Sequence, residues 1–548
     1  MPVDPKHLLQ RYERLLARRR LHEDVWEQIA EQILPQRTGI ISKRSPGEKR
    51  TTKLFDGTAP DAALLLASTM HSTLTPSAAP WFSVKYRDEA LNDDKAVQDW
   101  SEDTVRRMDE AISNSTFDLH VMECYLDYVA FGICCMQIER NAEGGLQFQS
   151  VPVGQFVVDE DAEGRVDTVA RSFTLTARAA VDRWGEEAVS EAIRNASTKE
   201  PEKPFTFMHW VGPRPEKEQT KKLKNMPWIS AYVEVGAKTL VGKEAGFHEM
   251  PYVTPRWGKA TGECYGYGPG HTALPFVQTL NELTRLFLKT AGKAADPPTA
   301  SRWNGVVGPI KWFPGGNTVV RDINDFKEFP PQARLDIIQV LANDLRTEVR
   351  RNFHVDQLAL KETPQMTALE VQVRFELMQR VLGPTLGRLR GEFFTPSIER
   401  VFGIMSRERQ FLPVPAILRD YIQDVGEFDV QYEGPMARAQ RTPELVAIER
   451  SYTMGGVIAQ VYPAIFDIPD HDKVFRHIWQ VTGAPSDNLR SEEEVKAIRD
   501  KRAQQEQAAA VGQLALGATE GAKNLAPIAE VVRKAGENGG VIPADQAR

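Results

Sequence analysis

Two amphipathic stretches of similar length, 274–294 and 332–351, bracket a compact insertion, and this arrangement constrains the chain more than any other feature. In the first, Phe276, Val277, Leu280, Leu283 and Phe287 share one helical face, while Arg285, Lys289 and Lys293 lie four apart on another. Asp296-Pro297-Pro298 stops this helix, because a proline disfavours helical backbone in the residue before it. The insertion, 295–331, is rich in Gly, Pro, Trp and Phe and closes at Pro330-Pro331. Leu335, Ile338, Leu341, Leu345 and Val349 then recur at helical spacing up to Arg350-Arg351. The apolar faces of such a pair need neighbours.

The flanking sequence predicts a helix-rich α+β chain of several substructures, as 548 residues would suggest. Helical periodicity runs over about 7–34, ending at Pro35, and again over 59–74 and 94–131, with a break at Ser113-Asn114-Ser115. A short strand is expected at 81–86. From 133 to 257 the pattern is one of short strands: Gly144-Gly145 marks a hairpin, and Phe205, Phe207, His209 and Val211 alternate with Thr206, Met208 and Trp210. Ile229, Ala231, Val233 and Val235 alternate in the same way, across a loop holding Lys217, Lys221, Lys222 and Lys224 that reads as a solvated tip. After a linker at 352–365, Thr367 and Glu370 form a capping box for a long helix with Ala368, Val371, Phe375, Met378 and Leu382 as its stripe. Gly383-Pro384 and Pro396 are expected to kink it. The C-terminal region is helical and grows simple in composition, and the chain shows no internal repeat.

A search for chemistry favours none. The net charge of −7 is wrong for a protein that grips phosphates, whose affinity comes from counterions released by Lys and Arg; it suits a conduit, where sticking would be a defect. Gly262–His271 fails the dinucleotide fingerprint, since His271 stands where a small residue belongs, and Gly236 with Gly242-Lys243 has the wrong spacing for a P-loop. Asp159-Glu160-Asp161 with Glu163 reads as an exposed hairpin tip before it reads as a cation site. His471 and His477 lack zinc spacing, and Cys124, Cys134, Cys135 and Cys264 read as reduced, buried thiols. Trp81, like the aromatics of the insertion, could stack on bases but reads first as an anchor of a core or of a protein interface. The expectation is therefore no enzyme, no metal, no cofactor, no signal peptide and no apolar run of the roughly 20 residues that cross a bilayer. One rival reading is a metal-dependent nuclease or nucleotidyltransferase, which would need an acidic cluster beside a basic groove.

In order along the chain stand LFDGTAPDAALLLASTMHSTLTP, WFSV, YLDYVAFG, VPVGQFVVDEDAEGRVDTVARSF, PRWGKATGECYGYGPGHTALPFVQTLNEL, ADPP, MTALEV, LGPTLGRLRGEFFTPSIERVF and YEGPMARAQR. Together they resemble the portal, or head-to-tail connector, family of short-tailed bacteriophages over nearly the whole chain. The resemblance implies a wing at 1–273, a stem helix at 274–294, a clip at 295–331, a second stem helix at 332–351 and a tunnel loop at 352–365. A returning wing with a kinked long helix follows at 366–440, and a helical crown and tail at 441–548. It implies a dodecameric ring in the virion, at one capsid vertex, assembled in the host cytoplasm; the other rival reading is a different virion structural protein, a tail or internal core subunit. Its implied partners are the terminase large subunit, tail or adaptor proteins, major capsid and scaffolding proteins, and double-stranded DNA passing without sequence specificity. Twelve helices spaced ~9 Å apart make a circle of ~110 Å, which leaves an opening of roughly 25 Å once a helix diameter is removed. Lys361, Arg350, Arg351, Arg346, Lys289 and Lys293 are the candidates for facing DNA, and Trp303, Trp312 and Phe313 for the clip interface.

Overall fold

The computed structural model describes residues 4–41, 45, 47–77, 80–86, 91–92, 94–141, 144–214, 226–295, 299–307, 309–310, 319–328, 335–355, 383, 385–419, 429–431, 435–482, 488–490 and 493–507. Two units are separable, 1–449 and 450–548. In the first, the Asp4 side chain accepts from the Lys6 amide and starts α1 (Pro5–Gln32), which buries Trp26, Ile29 and Ala30. The helix stops short of Pro35, which opens a 3-10 turn instead. Next come α2 (Thr58–Leu74), β1 (Ser83–Lys85), α3 (Lys95–Ser113) and α4 (Phe117–Phe131), the last two divided at the expected break. Trp81 stacks on Phe117 within the core, as expected of an anchor.

The strand region forms antiparallel sheets. β2 (Met136–Arg140) and β3 (Leu146–Ser150) make the predicted hairpin around Gly144-Gly145. β4 (Phe156–Glu160), β5 (Val166–Thr176), β6 (Pro204–Pro213), β7 (Trp228–Glu234) and β8 (Thr239–Leu240) follow in sheet order, with β9 (Ala245–Phe247) also pairing β7. β10 (Tyr252–Val253) joins β2, while β11 (Gly258–Lys259) pairs β12 (Gly266–Tyr267). Inside this region the structure inserts two helices that hydrophobic alternation did not reveal, α5 (Ala177–Trp184) and α6 (Glu191–Lys199). Each carries a signal that would have found it: Thr176 and Ser190 cap the Ala179 and Ile193 amides.

α7 (Pro269–Ala295) begins before the expected 274 and keeps Pro275 within it. The glycines ahead of it do structural work. A side chain on Gly270 would overlap the Ala130 carbonyl oxygen, and one on Gly268 would sit 2.9 Å from the Gly132 Cα. Gly132, at φ +70°, ends α4 in the left-handed region that glycine enters without strain. The Gly-rich stretch is thus a close backbone contact between the end of α4 and the start of α7.

β13 (Thr299–Ser301) and β14 (Phe326–Glu328) pair as an antiparallel ribbon, and α8 (Leu335–Asn352) returns against α7. A π-helical turn at Arg390–Phe394 leads into α9 (Thr395–Arg407); Pro396, the expected kink site, lies directly after it. β15 (Asp429–Gln431) pairs β1, and α10 (Pro435–Ala459) follows. In the second unit α11 (His471–Thr482) is joined to Asp472–Arg499 and His471–Tyr452 contacts. The Thr367 capping box, the stripe from Ala368 to Leu382 and the lysines 217, 221, 222 and 224 lie outside the described residues.

One large core joins α1, α2, α4, the β2–β3 hairpin and the bases of α7 and α8. Cys124, Cys134 and Cys135 are buried in the fold, whereas Cys264 is only half-buried because it sits in a surface turn beside Arg18. His209 is buried under the central sheet. Its ring stacks on Tyr232 with centroids 4.0 Å apart, and its nitrogens meet the Tyr252 hydroxyl at 2.7 Å and the Ser230 hydroxyl at 2.9 Å. Burial, with Arg183 and Arg171 adding repulsion, pushes its pKa down to about 3. A folded pKa below the unfolded value means that protons favour unfolding, so this stability is lost as pH falls from about 6.5 toward 3. Urea midpoints should therefore fall between pH 7 and pH 5, and fall less in His209→Gln, which bonds without titrating in that range.

Candidate functional site

The α7–α8 hairpin is held at its base by one polar cluster. Asn281 is buried among apolar neighbours, and its Oδ1 accepts the Phe55 amide at 2.9 Å and the Asp56 amide at 2.8 Å. Its Nδ2 donates to Gln32 of α1, and Gln278 one turn earlier donates to Gln28 at 2.8 Å. Asp56 then divides its carboxylate: Oδ1 accepts the Thr58 amide at the start of α2, and Oδ2 takes Arg346 of α8 at 2.8 and 2.9 Å. Burial works against the Asp56 charge, but the Thr58 bonds and the Arg346 guanidinium outweigh it and hold its pKa below the usual carboxylate value. Four helices are thereby tied through two side chains.

Beyond this cluster the hairpin stands clear. Among the described residues of α7 past Asn281, none is fully buried. Lys289 and Lys293 are exposed, and Arg285 is bound to Glu282 at 2.7 Å on the same helix. Arg350 is exposed, and so is Arg351, 3.8 Å from Glu348. Arg346, another of the candidates for facing DNA, pairs with Asp56 while its side chain stays 33% exposed. Leu341, on the apolar stripe read from the sequence, is 47% exposed, because Ala342 and Leu345 occupy the packed side. Trp303, at a turn after β13, is 96% exposed. Trp312, Phe313 and Lys361 lie outside the described residues.

A second cluster corrects the reading of the acidic run. Arg256, 1% exposed, clasps Glu392 of the π-helical turn with its Nη2 at 2.7 Å and its amide at 2.9 Å, and pairs with Glu160 as well. Lys259 meets the same Glu160 at 2.6 Å, while Asp159 pairs with Arg18 at 3.0 Å. Asp161 accepts the Glu163 and Arg165 amides and shapes the turn. Asp159 and Glu160 are anchors, to which only the fold brings cations, while Asp161 and the exposed Glu163 form the expected hairpin turn. Among the described residues no group of His, Cys, Asp and Glu could hold a metal ion, and no helix is long and apolar enough to cross a membrane. What this arrangement supplies is a rigidly based, outward-standing pair of helices with a ribbon and an exposed tryptophan in the segment between them.

That geometry is the setting for the comparisons with known proteins. The chain belongs to the bacteriophage head to tail connecting protein family, whose pattern it matches over residues 5–489. It is 29% identical over 521 residues to the probable portal protein of Bordetella phage BPP-1, with 92% of each chain covered. It is also 27% identical over 535 residues to the portal protein of Salmonella phage epsilon15, with 95% of each covered.

The polar cluster gives a direct test. Asn281→Ala leaves two amides and Gln32 without their buried partner and should cost about 1–3 kcal/mol in chemical denaturation. Arg285→Ala removes an exposed pair and should leave the midpoint unchanged.

Proposed function

We propose that copies of this chain close into a ring of about twelve, a head-to-tail association that closes by rotation, around a channel for the entry and exit of viral DNA. The observation that carries the reading is membership of the connecting-protein family over residues 5–489, with portal proteins of two phages similar over more than nine-tenths of its length. In this reading α7 and α8 are the stem, and residues 295–331 are the clip. The clip would dock the terminase large subunit during packaging and tail or adaptor proteins afterwards. Residues 1–273 and 366–440 are the wing, which meets major capsid and scaffolding proteins, and 441–548 the crown. The ring would be assembled in the host cytoplasm and kept at one vertex of the virion. The role is structural, and the energy for packaging comes from the terminase.

Two surfaces follow. Trp303 is a large apolar side chain with no cover, of the kind that anchors protein interfaces. Arg350 and Arg351 at the foot of α8, and Lys361 in the tunnel loop at 352–365, are the cations proposed to meet passing phosphates. Their role requires weak contacts that do not read sequence. Arg346 is left out of that set because Asp56 occupies it.

Negative-stain microscopy of the purified protein is the test: particles with a central hole support the reading, and a stable monomer at micromolar concentration overturns it. On assembled rings, Trp303→Ala should weaken partner binding, and Lys361→Glu should impair DNA retention in filled heads. Unchanged affinity and unchanged retention would remove the clip and tunnel-loop roles respectively.

A further inference from the structure

The two stem helices carry outward faces of matched design. On α7 the side turned away from α8 presents Glu282, Arg285, Leu286, Lys289 and Lys293. On α8 the side turned away from α7 presents Ile337, Val340, Leu341, Asp344 and Glu348. Both sets follow the three- and four-residue steps of one helical stripe. Each holds apolar side chains in the open, Leu286 at 43% on one, and Ile337 at 53%, Val340 at 62% and Leu341 at 47% on the other. Their charges are opposite. Glu282 is taken up by Arg285, and Glu348 lies 3.8 Å from Arg351 on its own helix, which leaves Lys289 and Lys293 in excess on the α7 stripe and Asp344 on the α8 stripe.

Height matters as much as sign. Asp56 touches both helices, through its amide to Asn281 and its carboxylate to Arg346, so those two residues share a level. The helices run in opposite directions with the same rise per residue. Counting outward equally from that level brings Leu286 opposite Leu341, and Lys289 within a turn of that same height. Lysine side chains lean toward the N-terminus of their helix, as Asp344 does on its own, which narrows the gap between Lys289 and Asp344.

We propose that the α7 face of one copy docks on the α8 face of the next, with Leu286 against Leu341 and with Lys289 directed at Asp344. The occupant of each face is a second copy of this chain. A hairpin with one basic and one acidic apolar flank is complementary to itself only head to tail, and such contacts make closed rings or open filaments, not two-fold dimers. This rests on the ring reading above and assigns Lys289 to the subunit boundary, away from DNA.

Cysteine cross-linking tests the contact. The double variant Leu286→Cys, Leu341→Cys, oxidised with diamide, should run on a non-reducing gel as a ladder of covalent multimers. The parent, whose thiols are buried or half-buried, should not. The two single variants co-expressed should stop at dimers, because each chain then offers only one thiol. Particles with a central hole but no ladder overturn this pairing and leave the ring reading intact. A wild-type monomer overturns both. In a second arm, Lys289→Glu should weaken assembly, and adding Asp344→Lys should restore it. If Lys289→Glu assembles normally, the pairing with Asp344 is wrong.

Discussion

The Asn281–Asp56–Arg346 cluster is the constraint on which the projecting part of the molecule depends. A two-helix hairpin gains little stability from its own interface, since each helix has one face to bury and one partner to bury it against. Here the base is fixed by polar groups removed from water, where an unmade bond is costly, so geometry is enforced more strictly than by apolar contact alone. Asn281 satisfies the chain entering α2, Asp56 satisfies the start of α2, and Arg346 satisfies Asp56. No member can move without stranding another.

Two further devices make the body rigid enough to carry that base. The glycines at 132, 268 and 270 let the end of α4 and the start of α7 approach at backbone distance, which no larger residue allows. Arg256 closes the other side by tying the β4–β5 turn to the π-helical turn through Glu160 and Glu392. A buried arginine with two carboxylates adds little net stability compared with apolar packing, but losing one partner leaves an uncompensated charge, typically at a cost of about 3–5 kcal/mol. Such a node fixes the relative placement of distant segments more than it raises stability. The net effect is a firm platform under a hairpin whose outer half is left for other molecules.

Much of this was legible in the residues. Periodicity located α1, α2, the α3–α4 break, the β2–β3 hairpin and the helix pair around the insertion, because one-sided burial imposes a repeat of 3.6 or 2 on any element with a core face and a wet face. Ordered motifs placed the chain in its family. Periodicity missed α5 and α6, which are too short to show a stripe and announce themselves only through the capping side chains of Thr176 and Ser190. A stripe also identifies helical spacing without saying which of its residues meets the partner, and Leu341 is left 47% exposed.

The sequence by itself therefore determined the longer described elements, their order and the family, all of which depend on neighbours within a few residues or on motif order. Tertiary structure alone decided the partners of charged and polar groups. Asp56 and Arg346, and Arg256 and Glu392, are far apart along the chain, and nothing local marks one as the counter-charge of the other. A charge reads the same in sequence whether it is solvated or clasped. What separates the two is desolvation by surrounding chain, and that exists only once the fold has formed.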